Sequence, residues 1–323
     1  MWCQEGTDAV SWKAYSHEAS TIAPPLSPIP FDQFFVREWS EVPRALKRCE
    51  KLSDWEVEDL KSKLPPITIG ILTRGHEFAS LRISMATWME SGLLQSVDEV
   101  LIMINDALED NFRELDGLTK PPLNMRILSS PHNEGISRGI HWLMGNASND
   151  HFLFLEKDFR LVEDIGCALE QLKAGVALVS SDRADIVRYR SRYNAGKPDY
   201  LERAWMGMEN QTWRLSKDPH CNFYHWVERP AIKWPNVFQV CMEEPIFYCV
   251  VSEMCAWTNN PFLLSVKWYT ENFLDKHPDI ANADSSFNIE NYLRGERWLE
   301  PQWVIAIGDG LFRHCDVNKF GFS

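Results

Sequence analysis

From Ile67 onward, apolar runs and amphipathic segments take turns along the chain. "ITIGILT" is a β-branched run with almost no polar break, which predicts a buried strand. "FASLRISMATWMESGLL" follows, with Phe78, Leu81, Met85, Trp88 and Met89 at helical spacing, and predicts a helix with one apolar face. "VDEVLIMIN" predicts a second strand, "ALEDNFRELDG" a polar helix and "NMRILSS" a third strand. In "GISRGIHWLMGNA" Ile136, Ile140 and Leu143 align on one helical face. "HFLFLE" predicts a fourth strand and "IGCALEQLKAG" a further helix. Strands that alternate with helices build a parallel sheet, because right-handed crossovers return each strand in the same direction.

The pattern changes on either side of this stretch. Residues 1–64 read as an N-terminal extension that packs on the main domain. "TIAPPLSPIP" is proline-rich and extended, "SEVPRALKRCEKLSDWEVEDLKSKL" has helical spacing, and Pro65-Pro66 closes the region. Beyond residue 180 the alternation stops. "ADIVRYRSR", "VFQVCMEEPIFYCVVS" and "WVIAIGDGLF" predict strands, and "LSVKWYTENFLDK" and "SSFNIENYLRGERW" predict helices. "NAGKPDYLERAWMGMENQTWRLSKDPHCNFYHW" shows no period and reads as a long loop over a site.

Composition narrows the function. Of 323 residues, 45% are hydrophobic and 24% charged, which is ordinary globular usage. No apolar run reaches the length of a membrane span, and "MWCQEGTDAVSWKAYSH" lacks the pattern of a signal peptide. The chain therefore reads as soluble, either cytoplasmic or a Golgi- or ER-lumenal domain whose anchor is absent. With 46 acids against 33 bases the net charge is −13, which disfavours nucleic acid as a partner. An anionic ligand would need a cation or a helix N-terminus to hold it. The eight cysteines form no CxxC pair, which argues against zinc ribbons and thioredoxin-like sites. Their scatter fits buried thiols in a reducing compartment, with one or two disulfides in a secretory lumen as the alternative. Asn146-Ala-Ser and Asn210-Gln-Thr match the glycosylation sequon. The chain has 14 tryptophans, most of them expected core, with one or two as flat platforms for sugar rings.

The carboxyl ends of the predicted parallel strands carry Thr73-Arg74, Asn105-Asp106, Pro131-His132-Asn133 and Glu156-Lys157-Asp158. Ligands bind at such ends in open α/β sheets. "TRGHEF" stands where a dinucleotide fold would have GxGxxG, and P-loop, GxSxG and HExxH motifs are missing. What remains is a group of acids at a strand end. Hard oxygens there suit Mg²⁺ or Mn²⁺, ions that take few protein ligands and leave positions for phosphate oxygens.

"ITIGILTRGH", "VDEVLIMIND" and "HNEGISRGIHWLMGNASNDHFLFLEKDF" together resemble the nucleotide-binding half of GT-A glycosyltransferases of the family 2 type. Asn133-Glu134-Gly135 matches that family's N-x-G, and Glu156-Lys157-Asp158 stands in the place of its D-x-D motif with the first acid lengthened. The resemblance covers residues 65–180 and reaches the rest through isolated motifs. It implies a GT-A, Rossmann-like α/β fold: a mixed, mainly parallel sheet flanked by helices in one catalytic domain, 65–323. Residues 65–180 would then bind the nucleotide sugar and 181–323 the acceptor.

The same resemblance implies roles. Thr73 and Arg74 would lie near base and ribose, and Asp106 or Asn105 would bind the base or ribose. Asn133 and Gly135 would open the following helix, and Arg138 would reach a phosphate or the donor sugar unless it is a surface charge. Glu156 would contact the ribose or donor sugar, and Asp158 would hold the metal. "ADSSFNIENYLRGERW" resembles the family's acidic motif, making Glu290 the candidate general base and Asp284 the second choice. "GDGLFRHCD" follows the last strand, where His314 would complete the metal shell, with Asp309 and Asp316 as neighbours. The implied reaction is a metal-dependent, inverting transfer from a nucleoside-diphosphate sugar, a UDP-sugar by family preference, to a hydroxyl of a glycan, lipid-linked sugar or protein. The acceptor is expected near Asn259-Asn260, Trp257 and Trp268. Two other readings are a nucleotidyltransferase that makes sugar nucleotides and a non-catalytic carbohydrate-binding protein on the same fold.

Overall fold

The computed structural model describes residues 51–116, 123–191, 229–233, 235, 237–252, 255, 257–293 and 303–314. The expected long loop between residues 192 and 228 lies outside them, as do the proline-rich segment, His220, His225, Trp226, Trp234, Trp298 and Asp316.

Among the described residues ten strands share one sheet: β1 Ile67–Arg74, β2 Glu99–Asn105, β3 Met125–Ser129, β4 His151–Glu156, β5 Phe159–Leu161, β6 Ile186–Arg190, β7 Gln239–Met242, β8 Phe247–Val251, β9 Phe262–Ser265 and β10 Val304–His314. Their order is β3-β2-β1-β4-β9-β6-β10-β8-β7, with β5 paired to β10. β3, β2, β1 and β4 run parallel. β9 then enters antiparallel between β4 and β6, and β10 lies parallel to β6. The fold is thus an α/β architecture on a mixed, mostly parallel sheet.

Helices cover both faces: α1 Asp54–Ser62, α2 Phe78–Glu90, α3 Glu109–Asp116, α4 Gly135–Asn146 and α5 Ile165–Ser180. β1 and β2 are buried along almost their whole length, which is why their sequences lack alternation. On one face Ile67, Ile69 and Ile71 join Leu81, Met85 and Trp88 of α2 and Leu172 and Val176 of α5. On the other, Leu101, Met103, Phe152 and Phe154 meet Ile140 and Leu143 of α4 together with Trp257, Tyr269 and Phe273. Gly70 is required where β1 meets β4, because a Cβ there would run into the Phe152 ring. α1 lies against α5, with the Leu52 side chain at Gly166. No helix among the described residues is long and apolar enough to cross a membrane.

Four sequence expectations change. The run through "VFQVCMEEPIFYCVVS" is a hairpin of β7 and β8 rather than one strand, turned at Glu243–Ile246 with a cis Glu244–Pro245 bond. β9 takes in the first two residues, Leu264 and Ser265, of a stretch expected to be helical. Its three apolar residues are buried on both faces, Leu263 in one core and Phe262 and Leu264 in the other, and so show no alternation. The helix after it runs through Val266–Trp268, a π-helical Tyr269–Phe273 and Leu274–Lys276. Cys241 and Cys249 form a disulfide across the hairpin, and no described cysteine is free, which replaces the expectation of buried thiols.

Candidate active site

Register alone gathers the strand ends. Arg74 is paired with Asn105, and Leu72 with Glu156, so β1, β2 and β4 finish side by side. Asp106 then turns the chain in the left-handed region at φ 51, and its backbone N–H donates to the His132 carbonyl at 3.2 Å. The Arg74 guanidinium pairs with the Asp106 carboxylate at 3.2 Å beyond the ends of β1 and β2. Thr73 and Asn105 are buried beneath them, and the Asn105 amide donates to the Gly135 carbonyl at 3.2 Å. That bond ties the start of α4 to the end of β2.

The N-x-G segment is a device for opening α4. The Asn133 side-chain oxygen accepts from the Gly135 N–H at 3.0 Å. Gly135 holds φ +78, and a Cβ there would sit 2.8 Å from the Ser285 carbonyl oxygen. Both facts demand glycine. Glu134 accepts from the Ser130 hydroxyl at 2.6 Å and pairs with Arg138 at 3.2 Å. Arg138 also lies over the Trp142 ring at 5.4 Å, so this half-exposed guanidinium is held along the helix.

β4 ends in Glu156, and Lys157 and Asp158 lead directly into β5. β5 pairs with the end of β10, placing His314 opposite Phe159. This pairing brings His314 Nε2 to 3.3 Å from Asp158 Oδ2, with the imidazole packed on the Phe159 ring. Lys157 Nζ lies 3.3 Å from Glu77 and 3.7 Å from Asp158. Glu77 was not foreseen from sequence; it sits in the short turn after β1, beyond the strand-end pair Thr73-Arg74 that was singled out. Burial works against the Lys157 charge, but Asp158, Glu156 and Glu77 outweigh it and hold its pKa above the ordinary lysine value. For Asp158, burial pushes the pKa up, while the His314 hydrogen bond and the Lys157 charge bring it below the usual range. Glu156 goes the other way: burial, then the Asp158 charge, push it well above the usual range, and Glu290 adds to this.

Glu290 lies on α6, Ile289–Tyr292, and its Oε1 accepts from the Asn259 backbone N–H at 2.8 Å. Asn259 in turn accepts from the Trp257 indole at 3.0 Å. The structure thus brings Glu290 into the electrostatic reach of Glu156. Asp284 is placed differently. It is exposed and accepts from the Ser286 hydroxyl at 2.6 Å and the Ser286 N–H at 2.8 Å, which lower its pKa. Trp257 is a core residue, stacked on Phe273 and tilted against Phe262, and Trp268 packs on Phe273 and Trp303. Trp257 is thus a core residue with no free face for a sugar, in line with the expectation that most tryptophans fill the core.

The Asp158–His314 pair offers donor atoms of the kind that a divalent ion takes. Asp158 is 13% exposed, and its Oδ1 has no hydrogen-bond partner. A carboxylate oxygen left over beside an imidazole is a fitting donor set for Mn²⁺ or Mg²⁺, which complete their shells with water and phosphate oxygens. Among the described residues no three His, Cys, Asp or Glu side chains gather as a metal group, so the protein share would be this pair.

No protein-family model matches the chain, and no curated protein matches it. Among solved structures it is similar to S. aureus TarS 1–349 in complex with UDP-GlcNAc, with TM-score 0.32 and 12% identity, over 39% of this chain and 34% of that chain. A second crystal structure of TarS 1–349 gives TM-score 0.30 and 15% identity, over 39% of this chain and 36% of that chain. The match therefore spans about a third of the length of the TarS chain.

Proposed function

We propose that the protein is a metal-dependent, inverting glycosyltransferase that moves a sugar from a nucleoside-diphosphate sugar, UDP-linked by preference, to an acceptor hydroxyl. The observation that carries this reading is Asp158: a largely shielded carboxylate two residues beyond β4, paired with His314 through one oxygen and without a hydrogen-bond partner at the other. Asp158 and His314 would hold Mn²⁺ or Mg²⁺, which when bound supplies positive charge for the diphosphate oxygens and the leaving group. Arg74 and Asp106 pair where base and ribose would rest. Glu156, kept protonated more readily than a surface glutamate, can donate a hydrogen bond to a sugar or ribose hydroxyl. Glu290 is the base: its Oε1 is anchored by Asn259, leaving Oε2 to take the acceptor proton. The acceptor oxygen then attacks the anomeric carbon opposite the departing diphosphate, and configuration inverts. The Cys241–Cys249 disulfide favours folding in an oxidising compartment.

The test is nucleoside-diphosphate release from a panel of sugar nucleotides, with and without Mn²⁺, in the wild type and in Asp158→Asn. Release that needs both metal and acceptor, and a loss of metal-dependent UDP affinity of about a hundredfold in Asp158→Asn, is expected. Unchanged affinity removes Asp158 from the site. Pyrophosphate release from a nucleoside triphosphate would instead identify a nucleotidyltransferase.

A further inference from the structure

The sequon Asn146-Ala-Ser takes no part in the proposed chemistry, and the fold puts it at the far end of the helix that opens the site. α4 runs 12 residues from Gly135 to Asn146. That is roughly 18 Å of helix. Gly135 packs on Ser285 near the strand ends, whereas Asn146 stands at the amino end of the sheet, just ahead of β4. Asn146 and Ser148 are both exposed. Ala147 is extended, at φ −65 and ψ 134, so the chain leaves the helix directly after Asn146. Asn146 Nδ2 donates to the Trp142 carbonyl at 2.8 Å, which occupies one acceptor of the last helical turn. An N-linked amide keeps one N–H, so that bond and a glycan can coexist.

A second observation is independent of the motif. Cys241 and Cys249 pair with each other, Cys167 and Cys255 are also disulfide-bonded, and none of the described cysteines is free. Such bonds belong to an oxidising compartment, and N-glycans are added to proteins that enter the secretory lumen.

We propose that Asn146 carries an N-linked glycan, transferred in the secretory lumen from an oligosaccharide linked to a lipid diphosphate. The amide Nδ2 bonds to the anomeric carbon of the oligosaccharide. The bond from that carbon to the lipid diphosphate breaks, the diphosphate leaves with the electron pair, and one amide proton passes to a base of the transferase. In the folded protein the Ser148 hydroxyl donates to Glu99 at 2.8 Å, so transfer precedes the closing of that lock. The finished glycan projects from the amino end of the sheet, away from Asp158. None of this depends on the glycosyltransferase reading.

The full chain is directed into the lumen of a eukaryotic cell by a cleavable leader, and its tryptic peptides are weighed before and after endoglycosidase treatment. Peptide 139–157 holds Asn146, and peptide 204–214 holds Asn210 of the second sequon, which lies outside the described residues. The glycan is expected on peptide 139–157 in most molecules. An unmodified peptide 139–157 overturns the proposal, whether or not Asn210 is modified. So do Cys241 and Cys249 that alkylate without reduction, because the chain then does not use the oxidising chemistry of that compartment. Asn146→Gln should remove the glycan and leave UDP affinity in Mn²⁺ within about twofold. A folded Asn146→Gln that loses UDP affinity would put the sequon against the site and overturn its placement. If Asn146→Gln does not fold, the wild-type peptide still decides. Glycan on Asn146 with no UDP binding keeps this proposal and removes the glycosyltransferase reading.

Discussion

Single residues decide what the proposed site can do. Glu290 has one carboxylate oxygen committed to a backbone N–H, which fixes the other without neutralising it. Glu290→Gln retains the shape and keeps the Asn259 bond through its amide oxygen, but cannot accept a proton. Turnover should fall by about 10²–10⁴ while UDP affinity in Mn²⁺ stays within about twofold. Steady-state kinetics beside calorimetry separates the two, and full turnover would reassign the base. Gly135 tests the frame instead of the chemistry. At φ +78, with Ser285 backbone where a side chain would go, Gly135→Ala should cost about 2 kcal/mol or more in urea unfolding. It should also weaken UDP binding, because α4 and the Asn105 bond move together.

At the scale of elements, the opposite end of the sheet is locked by one buried acid. Glu99, at the start of β2 and 1% exposed, accepts from Thr68 of β1, the backbone and hydroxyl of Ser148 before β4, and Arg126 of β3, at 2.6 to 2.9 Å. Burial pushes its pKa up, but these bonds outweigh it and leave the folded value below the ordinary glutamate value. A depressed folded pKa means stability that is full above the unfolded value and lost as pH falls through the folded one. Urea midpoints measured down the acid limb should therefore fall in the wild type. Glu99→Gln should be less stable near neutrality by about 2–3 kcal/mol and should lose part of that acid dependence. An identical acid limb in both proteins would show that other carboxylates carry it. β1, β2 and β4 were legible in the sequence because strands buried on both faces write continuous apolar runs, whereas the half-exposed edge strand β3 was legible from its place in the alternation with helices. β5 and β9 were not, since three and four residues are too few to carry a period. The same limit hid part of the site. Asp158 and His314 could be singled out by motif position, whereas Glu77 meets Lys157 only through the fold. Trp257 shows the converse, because aromatic content does not tell which way a ring faces.

On the scale of the whole molecule, charge sets the condition for binding at all. The chain carries a net −13, and Glu77, Asp158 and Glu290 act together on Glu156 at the end of the sheet where the proposed donor site lies. Lys157, held charged among them, offsets only part of this field. Without a divalent ion a nucleoside diphosphate should meet net repulsion, and with one it should meet attraction at the Asp158 end of the proposed site. Salt distinguishes the two signs, because the screening length shrinks from about 30 Å at about 0.01 M to about 8 Å at about 0.15 M. In chelator, UDP affinity should be low and should rise with sodium chloride as repulsion is screened. In Mn²⁺ it should start high and decline over the same range as attraction is screened. Calorimetric titrations across that series read both slopes. Opposite slopes fit a cation interposed between acidic protein and acidic ligand. Equal affinities with and without the ion at every salt concentration would mean that the diphosphate is held by the protein's own cations, and Asp158 would lose its place in the site.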